Sequence, residues 1–151
     1  MTALPAGPLL FDTGVYIRLS RREDYLWLRE DAAVFQRTVL TAVVASELYA
    51  GTRSQREKRD LDDLCQAHHA LGHFSSPPAG AWIDTGVLLR RARGLFGHLD
   101  FAVHFRDLLI AVEAARAGAT LVTENTKDFE RWRAVLQSAK KTLKLFNPSS
   151  A

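Results

Sequence analysis

The chain has a single cysteine, Cys65, among 151 residues. One thiol excludes an internal disulfide framework and any site built from several thiolates, and it fits a reducing compartment. No apolar run approaches the ~18 residues that a membrane span requires. The opening MTALPAGPLL lacks the basic n-region of a signal peptide, so a cytoplasmic protein with no membrane contact is expected. There is no glycine-rich loop of the kind that cradles phosphates, which leaves nucleotide triphosphate hydrolysis without support. No Ser or Cys sits in a nucleophile context, and neither internal repeats nor low-complexity segments occur.

What is present is an ordinary globular composition, 47% apolar and 25% charged. A chain of this length predicts one domain over residues 1–151, large enough to cover a sheet on both sides, with a loose tail over 146–151. The surplus of 20 basic over 17 acidic residues, +3, is mild but uneven. From Arg131 onward Arg131, Arg133, Lys140, Lys141 and Lys144 meet no acid, a pattern that suits a polyanion or a solvated helix face with an exposed terminus.

The pattern alternates short buried strands with helices. Pro8 to Phe11 reads as a first strand that stops at Asp12, with Thr13-Gly14 turning into a helix over Val15 to Ser20. Tyr25 to Phe35 spaces its apolar residues as an amphipathic second helix. Thr38 to Thr41 is a second strand and Ala42 to Ala50 a nearly all-apolar helix in which Glu47 is the only charge. Thr52 to His69 is a charge-rich helix, Gly72 to Phe74 a third strand, and Ala79 to Phe96 a long helix followed by a loop from Gly97 to His104. A helix entered through Asp107 and stopped at Gly118 leads into the strand Thr120 to Thr123 and a polar turn with Glu124, Asn125 and Asp128. A helix from Asp128 to Leu136 and an edge strand from Thr142 to Phe146 finish the chain. Such alternation predicts an α/β domain with a mainly parallel sheet of four or five strands and helices on both faces.

In a parallel sheet ligands gather beyond the carboxyl ends of the strands. Asp12, Glu47 and Asp107 are expected at that rim, with Asp128 in the turn nearby. Clustered carboxylates repel one another unless cations hold them or some stay protonated. Hard oxygen ligands without a histidine or thiolate pattern favour Mg²⁺ or Mn²⁺. With a phosphodiester as substrate, such an ion activates water and stabilises charge on the phosphoryl oxygens, so the implied reaction is hydrolysis. Each acid also has a structural role open to it. Asp12 and Asp107 suit helix caps, Asp128 suits the first turn of the last helix, and Glu47 could face solvent at the edge of its helix. A lone carboxylate among Val43, Val44, Ala45, Leu48 and Tyr49 is nevertheless costly to bury without a partner.

The segments LLFDTGVYI, TAVVASELYAG, AWIDTGVLLRRAR and FRDLLIAVEAARAGATLVTENTKDF, in this order over nearly the whole chain, resemble the PIN-domain ribonucleases, most closely the VapC toxins of toxin-antitoxin pairs. The resemblance implies a three-layer α/β/α PIN-like domain in which Asp12, Glu47 and Asp107 take the places of the acidic triad that binds Mg²⁺ or Mn²⁺. It further implies an endoribonuclease acting on structured RNA such as transfer or ribosomal RNA, a homodimer, and a cognate antitoxin protein. Many PIN domains carry a fourth acid directly after the strand, where this chain has Asn125, although the Thr123 to Phe129 pattern is shared with the toxin subgroup. Asn125 can accept a hydrogen bond but brings no charge, so a second metal position would depend on Asp128. Glu124 is expected to point elsewhere by strand alternation.

Arg18, Arg21, Arg90, Arg91 and Arg131 are candidates for steering an RNA backbone. Cys65, His68, His69 and His73 have helical spacing compatible with zinc, but Gly72 interrupts the helix, and histidines on a charged helix are expected to be solvated. Trp27, Trp82 and Phe96 are expected in the core or on a dimer surface in preference to base-stacking platforms. Two further functional readings remain open: a catalytically silent PIN-like module that binds RNA or protein, and a housekeeping RNA-processing nuclease without an antitoxin.

Overall fold

The computed structural model describes residues 4–21, 24, 25, 28 and 30–150. Its centre is a five-stranded sheet in the order β3-β2-β1-β4-β5, with β1 at Leu9–Phe11, β2 at Thr38–Thr41, β3 at Phe74–Ser75, β4 at Thr120–Val122 and β5 at Lys144–Phe146. Every neighbouring pair is parallel. The strands are short, and almost every residue in the central three is buried, with Leu9, Leu40, Leu121 and Val122 each at 0% exposure. Strands buried on both faces read as continuous apolar runs, as these do.

Around the sheet stand α1 (Thr13–Ser20), α2 (Ala32–Gln36), α3 (Ala42–Ala50), α4 (Gln55–Ala70), α5 (Ala79–Phe96), α6 (Phe101–Arg116) and α7 (Thr126–Ser138). From β1 the chain moves to β2 and β3 on one side, then returns across the sheet to β4 and β5 on the other. Right-handed crossovers in opposite directions place their helices on opposite faces. Accordingly α1 packs on α3 and α3 on α4, while α5, α6 and α7 pack on one another. The fold is therefore α/β in three layers. The reversal of direction falls between β1 and β4, and the crevice at their carboxyl ends is the topological switch point.

Both outer layers anchor in one core. Helix α7 contributes Phe129, Trp132, Val135 and Leu136, all fully buried, and α6 is buried without a break from Leu108 to Ala114. Gly118, at φ 63, supplies the left-handed turn that ends α6 and lets Ala119 enter β4.

Several expectations are corrected. Helix α6 begins at Phe101, not at Asp107: Asp100 caps it, its carboxylate accepting from the amides of Ala102 (2.8 Å) and Val103 (3.4 Å). The loop before it shrinks to Gly97–Asp100, with Gly97 at φ 88. Phe101 and Val103 are exposed, so the first turn carries no amphipathic signal to reveal it. The helix expected from Tyr25 to Phe35 is interrupted: Tyr25 sits at φ 63, and Asp31 caps the separate short helix α2 through the amide of Ala33 at 2.9 Å. Part of that segment, Trp27 included, lies outside the described residues. The described part of the expected tail is ordered into the fold. Phe146 completes β5, and Pro148–Ser150 form a 3-10 turn with Pro148 buried. His68 is not solvated but 1% exposed, its ring 4.7 Å from that of Phe35.

Candidate active site at the switch point

β1 ends at Phe11, and Asp12 is the next residue, its amide donating to the carbonyl of Val122 on β4 at 2.9 Å. The Asp12 carboxylate is fixed from two sides. Oδ1 accepts from the Thr13 amide at the start of α1 (2.8 Å), and Oδ2 accepts from the hydroxyl of Thr123, just beyond β4 (2.9 Å). Asp12 thus caps a helix and stands at the crevice between β1 and β4 at once. Thr123 is fully buried, and its hydroxyl also accepts from the Asn125 amide at 3.0 Å, so one side chain ties Asp12 to the turn after β4.

Glu47 comes from the middle of α3, which Thr41 caps through the amide of Val43. Asp107 comes from the second turn of α6, next to Arg106. The Arg106 guanidinium bridges them, with Nη1 3.2 Å from Glu47 Oε2 and Nη2 3.6 Å from Asp107 Oδ1. The other Glu47 oxygen, Oε1, and the Thr13 hydroxyl are both buried without a well-aligned hydrogen bond, although the hydroxyl lies near enough to the carboxylate to lower its pKa.

The three carboxyl groups sense one another. Burial pushes Asp12 above the usual carboxylate range, opposed by its bonds from Thr123 and Thr13 and by the charge of Arg106. Burial likewise raises Glu47, opposed by Arg106 and by the nearby Thr13 hydroxyl, while the charges of Asp12 and Asp107 raise it further. Asp107 is raised by burial and by the charge of Asp12, lowered by Arg106, and raised again by Asp128. Asp12, Glu47 and Asp107, separated by 35 and 60 positions in sequence, therefore form one electrostatic cluster. Among the described residues no three Asp, Glu, His or Cys side chains converge closely enough as they stand to hold a metal ion. The donor chemistry nevertheless fits a hard divalent cation: all donors are carboxylate oxygens, Asp12 and Asp107 each raise Glu47, and one Glu47 oxygen is buried without a well-aligned hydrogen bond.

Asp128 and Asn125 stand at the edge of this cluster. Asn125 occupies the cap position of α7 without a capping bond, and its Nδ2 donates to Asp128 Oδ2 at 3.1 Å. Asp128 also pairs with Arg131 at 3.6 Å and reaches the cluster through its charge on Asp107. Glu124 turns away to Arg18 (3.2 Å) and to the hydroxyl of Tyr25. The residues that sequence reasoning missed are Arg106, Thr123 and Thr13. All three adjoin an acid or the end of a strand, and that adjacency is the only signal they carry.

Beside the rim lies a cleft of about 330 Å³ lined by Val43, Ser46, Pro77, Trp82, Phe105 and Arg106. Trp82 stacks on Phe105 with ring centroids 5.7 Å apart and remains 47% exposed. Several of the basic residues considered for RNA contact are engaged within the chain. Arg18 pairs with Asp24, Arg91 donates to the carbonyl of Ser138, Arg131 lies over the Trp132 ring, Arg133 pairs with Glu130, and Lys144 donates to the carbonyl of Gly118. The imagined zinc group does not form. Cys65 lies against the Tyr49 hydroxyl, and Nδ1 of both His68 and His73 is buried without a partner.

No family model and no curated protein matches the sequence. The structure is similar to a chain of FitAcB from Neisseria gonorrhoeae at TM-score 0.65 and 21% identity, covering 95% of this chain and 99% of that one. It is similar to a chain of VapBC2 from Rickettsia felis, solved with a DNA fragment from its promoter, at TM-score 0.64 and 19% identity over 92% and 97% of the two chains. A chain of FitAB bound to a DNA fragment matches at TM-score 0.65 and 18% identity over 93% and 94%. At such identities the likeness is one of fold, and the architecture of this chain is the three-layer PIN-like domain that the sequence resemblance implies.

Proposed function

We propose that the chain is a Mg²⁺- or Mn²⁺-dependent endoribonuclease that hydrolyses RNA phosphodiester bonds as the toxin of a toxin-antitoxin pair. The observation that supports this best is the electrostatic cluster that Asp12, Glu47 and Asp107 form at the switch point, each raised in pKa by burial and two of them also by the charges of the others. A stable fold has no need of mutually repelling, half-buried acids, whereas metal-assisted hydrolysis does. Asp12 and Asp107 would be the primary ligands and Glu47 a ligand or the acceptor of a proton from the attacking water, with Asp128 and Asn125 assisting from the edge. A divalent cation held there supplies a water of lowered pKa and neutralises charge on the phosphoryl oxygens. Thr123 and the Thr13 amide hold Asp12 in one orientation, so its position is set before substrate arrives. The adjoining cleft gives RNA a place to lie, and transfer or ribosomal RNA is the substrate class that the sequence resemblance implies.

A protein partner is supported by the surface. Trp82, Ile83 and Val87 on α5 and Phe101 and Val103 on α6 are large, apolar and about half exposed or more, which is unusual for a surface that meets only water. Together with the VapBC and FitAB assemblies in which similar folds occur, this supports a cognate antitoxin and a homodimer. Among the described residues no helix is long and apolar enough to cross a membrane.

The test is incubation of the purified chain with total and transfer RNA in Mg²⁺, Mn²⁺ or EDTA. Cutting that appears with either metal and disappears with EDTA is the expected result. Cutting that persists in EDTA would remove the metal from the reaction.

A further inference from the structure

We propose that Arg106 is the resident counter-ion of the acidic rim and that a divalent cation enters by exchange with it. The inference rests on the metal-dependent reading above and adds a regulated entry to the same site. Arg106 contacts two of the three acids, at 3.2 Å to Glu47 and 3.6 Å to Asp107, and its charge also reaches Asp12. One positive charge cannot neutralise three carboxylates, and the buried Glu47 Oε1 has only the poorly aligned Thr13 hydroxyl near it.

The arrangement favours release. Arg106 and Asp107 are consecutive on α6, and side chains one residue apart do not face each other on a helix. The guanidinium accordingly meets Asp107 only at 3.6 Å, a separation beyond ordinary hydrogen-bond length. The Arg106 side chain is 55% exposed, whereas those of Glu47 and Asp107 are 20% and 21% exposed. The cation can leave without opening the core, while the carboxylates stay fixed on α3 and α6. It also has somewhere to go, because Arg106 lines the cleft with Trp82 and Phe105, whose ring faces attract a guanidinium. An incoming ion of twice the charge takes up the carboxylate oxygens that Arg106 leaves. Metal affinity is thus set below its intrinsic value by the ion pairs that must be broken, and metal-free protein keeps a compensated rim.

Titration calorimetry with MnCl₂ on the wild type, Arg106→Gln, Arg106→Lys and Asp107→Asn tests this, with thermal unfolding of each in EDTA and in Mn²⁺. Arg106→Gln is expected to bind Mn²⁺ about tenfold more tightly than the wild type, the scale of one or two partly exposed ion pairs. It is also expected to melt lower in EDTA and to gain more from Mn²⁺. Arg106→Lys keeps the charge and is expected to stay near the wild type. Equal or weaker Mn²⁺ binding by Arg106→Gln, with Asp107→Asn impaired, overturns the exchange and leaves the metal reading standing. Absence of Mn²⁺ binding in both the wild type and Arg106→Gln overturns both.

Discussion

The hydroxyl of Thr123 donates to Asp12 Oδ2 at 2.9 Å, joining the residue after β1 to the residue after β4 across the switch point. Because Thr123 is fully buried and its hydroxyl also accepts from the Asn125 amide, the bond orients the acid and the turn together. Replacing Thr123 by Val leaves the Asn125 amide without its acceptor and frees one side of the carboxylate. The expected cost is about 1–3 kcal/mol of stability together with a loss of cleavage. Thr123→Ser keeps both. Denaturant unfolding and cleavage rates on the two variants check this, and a Val variant that cuts at the wild-type rate would remove Thr123 from any positioning role.

Neutralising one member of the acidic cluster separates stability from activity. Asp12→Asn or Glu47→Gln removes a charge that is buried and repelled by its neighbours, so folding is expected to be unchanged or better by up to about 1 kcal/mol. Cleavage is expected to fall by about 100-fold or more, since a neutral amide is a poor substitute for a carboxylate toward a hard cation. Thermal unfolding beside a cleavage assay reads both. Loss of activity accompanied by unfolding would mean that these acids serve the fold.

The architecture was legible because the strands carry their burial in sequence. LLF, TVLT and TLV are short apolar or β-branched runs bounded by turn residues, and their alternation with helices predicts a mainly parallel sheet of four or five strands, of which the structure has five, all parallel. Asp12 was legible as a charge where an apolar run stops, Glu47 as the only charge inside an apolar helix, and Asp107 as the acid just ahead of the run Leu108 to Val112. Arg106 was not, because its role depends on how α6 sits beside α3, which no local spacing encodes. The start of α6 was missed for a related cause: exposed Phe101 and Val103 break the amphipathic pattern although Asp100 supplies a good cap. The basic C-terminal run looked available for a polyanion because the pairing of Lys141 with Asp84 and the bond from Lys144 to the carbonyl of Gly118 appear only in three dimensions.

His68 makes stability depend on pH. It is 1% exposed, and burial holds its pKa down at about 4, below the ordinary 6.5. Between those values the unfolded chain binds more protons than the folded one, so stability rises with pH across the window and is lost as pH falls from 6.5 toward 4. The expected loss from this residue is about 3 kcal/mol at most. His68→Gln removes the titration, so the difference in unfolding free energy between the two proteins, measured from pH 7 to pH 4, should change in that window. A constant difference contradicts it.

Glu113 has the opposite sign. It is 7% exposed on α6, accepts a hydrogen bond from the Thr41 hydroxyl, and is raised by burial above 4.5. A raised carboxylate favours the fold below its unfolded pKa and loses that contribution as pH climbs through the folded value. Glu113→Gln keeps an acceptor for Thr41 without the charge, so it is expected to be more stable than the wild type at pH 7 by about 1 kcal/mol. The advantage should shrink toward pH 4.5. Urea unfolding at the two pH values measures it, and an advantage that grew on acidification would reverse the assignment.

The central claim is that the acids at the switch point cut RNA with a divalent cation. Its most direct test is cleavage of transfer and total RNA by the wild type and Asp107→Asn, matched for folding by circular dichroism, in Mg²⁺, Mn²⁺ and EDTA. Metal-dependent cutting by the wild type that is lost in Asp107→Asn is the predicted result. Equal RNA binding by both proteins with no cutting by either would contradict it and make the chain a binding module.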